Sequence, residues 1–502
     1  MTTRRTVWVL GDQLDAELGA LADARPGRDT VVLITSTSKV DGRPWHRQRL
    51  HLVLSAMAHL AAELRDAGFT VDERTAEDMA SGLAQHCAEF GIDEVVGTEA
   101  NSPVARRMQR RLGVRTVRST QFLCHPDDFA AWAADRSGRL RMEDFYRWQR
   151  VRLGVLVDGD EPEGGTWNLD ADNREPPPRD GRLWPTNPSI ALDAIDRRVL
   201  DALPDGVVGA LPAGDWPVTR TQALARLASF IEHGLPVFGP HEDAMLGAEW
   251  KLAHSTLSSS LNLGLLRPRE VVAAAEDAYR SGRVPLASAE GFIRQIIGWR
   301  EYVWGLSWWW ADGPDGGWRD WNALDAHRPL PPVFRTGETD MACVANVVEG
   351  VRDHAYAHHI ERLMVLGNLC LLAGVEPVEL VDWMWENFVD GAEWVMLPNV
   401  IGMSLWADGG RMATKPYASG GAYLNRMSDH CRGCRYDPKQ RTGDDACPFT
   451  TLYWDFLARN EDRLRGNHRI STQLGGMRRL ADLDQTRARA RDVLGMLDGG
   501  DL

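Results

Sequence analysis

TVWVLGDQL, residues 6–14, joins an apolar run to a Gly-Asp-Gln loop. It reads as a β-strand followed by a turn, and the run meets Gly11 and Asp12 too early for a signal-peptide core. The segments after it repeat the theme. DTVVLITS (29–36), TVDERT (70–75), IDEVVGTE (92–99) and RTVRST (115–120) have strand character. Between them, RLHLVLSAMAHLAAELRDAGF (49–69) spaces its apolar residues as an amphipathic helix closed by Gly68. Strands alternating with helices of more than about ten residues predict a parallel, doubly wound α/β sheet. Ligands of such sheets sit at the carboxyl ends of the strands, which makes the loop of Gly11, Asp12 and Gln13 a candidate ligand edge.

Beyond residue 130 the pattern changes. VDGDEPEGGTWNLDADNREPPPRDGRLWPTNP (157–188) is rich in Pro, Gly and Asp and has little periodicity, as expected of a long connection. From about Trp216 the apolar spacing is helical nearly everywhere. TRTQALARLASFIEHGL (219–235), ASAEGFIRQIIGWREYVWGLSWW (287–309), VANVVEGVRDHAYAHHIERLMVLGNLCLLAG (344–374) and EPVELVDWMWENF (376–388) are the clearest cases. The expected organisation is an α/β domain over 1–130, an interdomain linker over 131–215 and a large all-α domain over 216–502.

At 44% hydrophobic and 25% charged residues, the composition is that of a soluble globular chain. No apolar stretch approaches the roughly 18–20 residues needed to span a bilayer. The expectation is a cytoplasmic monomer, whose seven cysteines are thiols or metal ligands before they are disulfides. A net charge of −14 excludes a surface coated in positive charge but leaves room for a local basic groove. The arginines of ARRMQRRLGVRTVRS (105–119) read first as a solvated helix face. Tryptophan is over-represented, with 20 Trp against 12 Phe and 8 Tyr. Core filling, stacking on flavins or bases, and electron transfer all remain open for these rings.

Four stretches of the helical half resemble the photolyase/cryptochrome family: HSTLSSSLNLGLLRP (254–268), FIRQIIGWREYVWG (292–305), HAYAHHIERLMVLGN (354–368) and VDGAEWVMLPNVIGMSLWADGG (389–410). With the paired histidines and the C-terminal cysteines, the likeness is to the bacterial iron–sulfur branch, which includes (6-4) photolyases and cryptochrome-like proteins. The resemblance implies FAD held by Ser255, Thr256, Leu257, Ser258 and Asn262, by Gln295 and Arg300, by His359, by the ion pair Arg362–Asp390, and by Asn399. The Ser-rich turn also makes chemical sense, since a diphosphate needs hydroxyl donors and backbone N–H groups. The resemblance further implies His358 and His359 as proton donors projecting from one continuous active-site helix, and Tyr417 shaping the substrate pocket. Trp383 would carry electrons. His354 and His358 have the i,i+4 spacing of a zinc site, but Ala355 stands where a zinc protease has its glutamate.

The sequence SDHCRGCRYDP (428–438) carries Cys431 and Cys434; Cys447 follows, and Cys343 lies upstream. Four thiolates suit tetrahedral zinc or a [4Fe–4S] cluster. Spacing alone favours zinc, whereas the resemblance implies the cluster. Cys87, Cys124 and Cys370 sit on apolar patterns and read as core. The family's 6,7-dimethyl-8-ribityllumazine antenna would involve Asp12 and Gln13, but Thr35 and Ser36 replace an acidic residue expected at the end of the second strand. Arg335 and Met384 stand where the branch tends to have aromatic residues, so the electron path would be shortened or rerouted. Taken together, the expectation is a light-driven, FAD-dependent repair enzyme for UV-damaged DNA, of the (6-4) photolyase type. A cryptochrome-like photoreceptor is the alternative, and a zinc-stabilised nucleic-acid-binding protein without flavin the third reading.

Overall fold

In the computed structural model, which describes residues 4–311 and 317–502, the five expected strands form one parallel sheet: β1 (Arg5–Val9), β2 (Asp29–Ser36), β3 (Thr70–Ala76), β4 (Glu94–Thr98) and β5 (Arg115–Val117). Their order is β3-β2-β1-β4-β5. The central strand is apolar on both faces because helices cover both. Val7 and Val9 join Val31 and Leu33 on one side, under the Arg47–Asp66 helix. Trp8 joins Val32 and Ile34 on the other, against Leu83 and Val114. The edge strand β3, with Asp72, Glu73 and Arg74, is mostly half-exposed and carries the charges that an edge tolerates. The arginine-rich segment forms the Pro103–Arg111 helix, with Arg110 and Arg111 in solvent as expected.

The strand order reverses between β1 and β4, so the loops after these two strands face each other at the carboxyl edge. That edge is occupied by the rest of the chain. Leu14 N–H donates to Leu263 O at 2.8 Å, and the Gln121 amide donates to Asp12 O at 2.8 Å and Asn262 O at 3.0 Å. Arg267 pairs with Asp15 at 2.6 Å. One apolar core continues from the inner face of the sheet into the helices.

The connection over 155–190 is irregular, as its composition predicts, yet it is tied down. Asn187 donates to Thr256 Oγ1 at 3.2 Å, and Arg226 donates to Pro188 O. Among the described residues of the helical part, four segments are wound as π-helix: Phe230–Gly234, Arg294–Arg300, Glu361–Gly367 and Pro398–Ser404. Two of them cross where Gly367 lacks a side chain; a Cβ there would lie 2.9 Å from Ser404. No helix among the described residues is long and apolar enough to cross a membrane.

One predicted helix is broken. The stretch 344–374 is not continuous: the Ala342–His354 helix ends at Ala355, which adopts φ 52°. The chain then turns through residues 355–358 and resumes as helix at His359. Val389 N–H donates to Ala355 O at 2.9 Å and holds the turn. The i,i+4 relation of His354 and His358 therefore does not exist in the fold.

Candidate active site

The centre of the site is a two-pronged ion pair. Arg362 Nη1 and Nη2 donate to Asp390 Oδ1 and Oδ2 at 3.0 and 3.1 Å. The carboxylate also accepts from Ser258 Oγ at 2.7 Å, and Asn262 donates to the Asp390 backbone carbonyl at 2.9 Å. The guanidinium lies over the Phe388 ring at 4.0 Å and donates through Nε to Ala357 O. A buried pair survives only when its remaining hydrogen-bonding capacity is filled, and here it largely is. The backbone makes this possible. Ser258–Leu263 is a short helix of its own, so Ser258 and Asn262 stand one turn apart on one face, with Ser255, Thr256 and Leu257 in the bend before it. Thr256 takes φ 52°, and its hydroxyl is used within the protein: it accepts from Arg226 at 3.0 Å and donates to Ser255 O.

Around this corner the charge is lopsided. Arg300 donates to Leu261 O at 3.3 Å and sits 3.4 Å from Glu301, over the Phe122 and Trp394 rings. Arg49, from the α/β half, donates to Phe388 O at 2.8 Å. Burial pushes the guanidinium pKa of each down to about 10. Arg49 and Arg362 face the carboxylate of Asp390 and Arg300 faces that of Glu301, so three cations meet two acids and leave positive potential for an anionic ligand. Ser259 Oγ, Ser260 Oγ and Arg300 Nε are buried with no partner in the protein. Unpartnered buried donors cost stability and mark a place where a polar ligand belongs. These residues fit a diphosphate-bearing cofactor. Gln295, Arg300, Arg362 and Asn399 all lie on π-helical segments, a winding that often marks functional sites. The Gln295 and Asn399 amides donate back to Gly291 O and Val395 O, leaving their carbonyl ends for other partners.

The two histidines part company. His359 opens the second helix and keeps access to solvent, one turn before Arg362. Burial, and then Arg362, push its pKa down to about 4. His358 lies outside the helix and is fully enclosed at 0% exposure, which corrects the expectation that both project from one helix into one pocket. Its ring stacks on His254 at 4.6 Å with 13° between planes, and neither ring nitrogen has a hydrogen-bond partner. Its backbone N–H donates to Glu361 Oε2 at 3.1 Å, while Glu361 Oε1 lies 3.5 Å from Nε2. Burial drives the His358 pKa well below its ordinary value and that of His254 to about 3, whereas Glu361 is pushed up to about 8. Arg49, His254 and Glu361 were not singled out in the sequence. His254 and Glu361 stand inside motifs that were, but nothing in the spacing marks Arg49.

The remaining candidates fall in separate places. Cys343, Cys431, Cys434 and Cys447 all line one small, mainly apolar cavity, closed by Met341, Tyr436 and Phe449. All four are free thiols, and no three of their sulfurs converge to within 4.8 Å of one another. Cys124 and Cys370 are buried and Cys87 packs against the second core, as expected. Trp383 is buried, edge-on to Phe334 at 4.9 Å and Phe388 at 5.8 Å. It therefore stands one ring away from Arg362. Tyr417 is 38% exposed, near Arg174, Asp170 and Asp243. Gln13 is occupied structurally, donating to Glu99 O at 2.8 Å, and Asp12 accepts from Asn101 at 3.1 Å.

Comparisons with known proteins agree along the whole length. A (6-4) photolyase of Agrobacterium fabrum (strain C58) is 42% identical over 511 aligned residues, covering 98% of this chain and 99% of the relative. A family model described as deoxyribodipyrimidine photo-lyase-related protein matches residues 7–209. Among solved structures, the fold is similar to a bacterial class III photolyase from Agrobacterium tumefaciens, with a TM-score of 0.57 and 17% identity over 99% of this chain and 98% of that one. It is also similar to the Synechocystis sp. PCC6803 cryptochrome, with a TM-score of 0.54 and 15% identity over 98% and 100%.

Proposed function

The chain belongs to the photolyase/cryptochrome family, and from that premise we propose that it is a light-driven, FAD-dependent DNA repair enzyme acting on (6-4) pyrimidine photoproducts. The observation that carries this reading is the buried Arg362–Asp390 corner, ringed by further buried arginines and unpartnered hydroxyls, beside the solvent-accessible His359. It stands in a chain aligned end to end with a (6-4) photolyase.

FAD, when bound, supplies the light-absorbing electron donor. The protein's own residues do the rest. Ser258, Asn262 and Asp390 fix Arg362, whose positive charge would stabilise negative charge on the bound flavin. The damaged base leaves the duplex to enter the cavity, because its reacting atoms are out of reach in the stack. His359, neutral in the resting site and accessible from the cavity, holds the proton-transfer position, and Tyr417 borders the opening. Trp383, reaching the ion pair through Phe388, is the electron-carrying residue of this reading.

Cys343, Cys431, Cys434 and Cys447 are read as ligands of a [4Fe–4S] cluster. Zinc at about 2.3 Å from each of four sulfurs would draw them to about 3.8 Å from one another. Four sulfurs around one cavity, no three of them within 4.8 Å of one another, favour a larger body. Asp12 is the residue through which a ribityllumazine antenna would be held, whereas the Gln13 amide is committed to Glu99.

The deciding assay is light-dependent repair of an oligonucleotide carrying one defined (6-4) lesion. His359→Ala should keep the fold and flavin absorbance and lower the repair yield at least about 100-fold. Normal repair by this variant removes His359 from the mechanism. No repair by the unaltered protein, with flavin that still photoreduces, makes it a photoreceptor instead. For the cysteines, anaerobically purified protein should contain about four irons per chain. Stoichiometric zinc without iron would overturn the cluster.

A further inference from the structure

The irregular connection and the segment that carries the cysteines face each other across an open groove of about 540 Å³. One wall carries Arg179 and Arg182, after three consecutive prolines at 176–178, and the other carries Arg426 and Arg432. Local structure sets these positions. Gly421–Met427 is a helix that presents Arg426 from its last turn, and the turn His430–Arg432 follows, with Arg432 directly after Cys431. Opposite, proline fixes φ at three positions in a row, so that wall is stiff. It is also anchored on either side of Arg179. Glu175 N–H donates to Pro240 O at 2.9 Å, and Trp184 is buried edge-on to His241 at 5.9 Å.

Positive charge is left over in this groove. Arg182 is paired with Asp180 at 2.6 Å, but Arg179, Arg426 and Arg432 are exposed and have no carboxylate partner among the described residues. Glu175 is the acid on the wall, and its carboxylate lies 4.0 Å from His241 Nε2. Like charges held on two facing walls repel, so an anion between them is favoured, even in a chain of net charge −14. No Phe, Tyr or Trp lines the groove among the described residues, so nothing there is built to stack on a base. Guanidinium groups without such rings suit phosphates, which they grip with two prongs. The groove also borders the entrance of the proposed repair site. Arg426 lies over the Tyr423 ring at 5.6 Å, and Tyr423 shares Arg174 and Asp243 as charged neighbours with Tyr417.

We propose that this groove holds the sugar–phosphate backbone of the DNA flanking the lesion, with Arg179 on one wall and Arg426 and Arg432 on the other gripping its phosphates. The inference rests on the reading that the chain acts on DNA, and it names a contact surface separate from the place of the damaged base. Phosphate contacts fix register and orientation and carry no information about the base. The groove therefore positions the duplex without distinguishing damaged from undamaged DNA. The stiff proline wall has little freedom to lose when a strand is laid against it, so ordering it costs little.

The test measures binding of flavin-loaded full-length protein to a duplex with one (6-4) lesion and to the same duplex undamaged, by fluorescence anisotropy over a range of salt. Arg179→Gln, Arg426→Gln and Arg432→Gln should each lower the slope of log affinity against log salt by about 1. The triple variant should bind at least about 10-fold more weakly at about 0.1 M salt, by the same factor on both duplexes. In repair, KM should rise while kcat at saturating DNA stays, and flavin content and unfolding midpoint should match the wild type. Lysine at all three positions should restore the slope. A triple glutamine variant with wild-type affinity and slope, or a loss confined to the damaged duplex, overturns the proposal. Should Arg432→Gln disturb the neighbouring Cys431, Arg179→Gln on the opposite wall carries the same test alone. If the unaltered protein repairs nothing while the triple variant still loses affinity and slope, the repair reading falls and the groove stands. If repair is seen and the triple variant binds as the wild type does, the groove alone falls.

Discussion

Residues 358 and 362 lie one helical turn apart and stand in opposite kinds of interior. At the Arg362–Asp390 corner both prongs of the pair are made, and a hydroxyl and two backbone carbonyls are engaged around it. In the His254–His358–Glu361 pocket, three ring nitrogens have no partner and every group is held in its neutral form by burial. The first interior is built to keep charge in place. The second, lacking partners, holds its groups neutral. Low dielectric strengthens a completed pair and penalises an incomplete one, so the same depth of burial keeps charge in place at one site and suppresses it at the other.

The comparison breaks hardest at the ion pair. Arg362→Leu leaves Asp390 buried without its partner and should cost about 3–5 kcal/mol of stability with loss of flavin, measured by denaturant unfolding and by absorbance. Retention of full flavin content would mean that the corner is not the anchor.

The second test sharpens the contrast through pH. Glu361 stays protonated in the folded protein up to about pH 8, whereas an unfolded glutamate releases its proton near 4.5. Folding therefore takes up a proton between those values, and the stability contributed at this site falls as pH rises through the window. Glu361→Gln lacks this dependence. The two proteins should be alike near pH 4.5, and the variant should be the more stable by about 2–4 kcal/mol at pH 8. Parallel pH–stability curves would show that Glu361 ionises freely.

The smallest effect belongs to His254. Its folded pKa of about 3 lies below the unfolded value of 6.5, so the unfolded chain binds the extra proton, and stability is lost as pH falls below 6.5. His254→Phe keeps a flat ring against His358 and removes an unpartnered nitrogen. Its unfolding free energy should lie within about 1 kcal/mol of wild type at pH 7.5 and exceed it increasingly toward pH 4. A larger loss at pH 7.5 would show that the ring's bond to the Glu242 backbone outweighs its stacking.

Much of this molecule is legible residue by residue. Alternation of apolar runs with helical spacing fixes the parallel sheet, because strand and helix periods are local properties of the chain. The turn at 254–268 and the Arg362–Asp390 pair are carried by recognisable motifs, and the cysteine pattern is plain in the numbering. Periodicity could not see the break at Ala355. Alanine is a strong helix former, and the left-handed turn there is secured by Val389, which is distant in sequence. That single turn separates His358 from His359 and sends one into the core and leaves the other open to solvent. The rest of the division of labour is also tertiary. Arg49 reaches the Asp390 corner from the other domain, and His254 meets His358 across a hundred residues. A cavity on one side of Glu361 is walled by three separate stretches of chain. Residue types and spacing determined which chemistry is present. Burial, which depends on what the fold brings alongside, decided which of those groups are charged, which are neutral and which can exchange a proton.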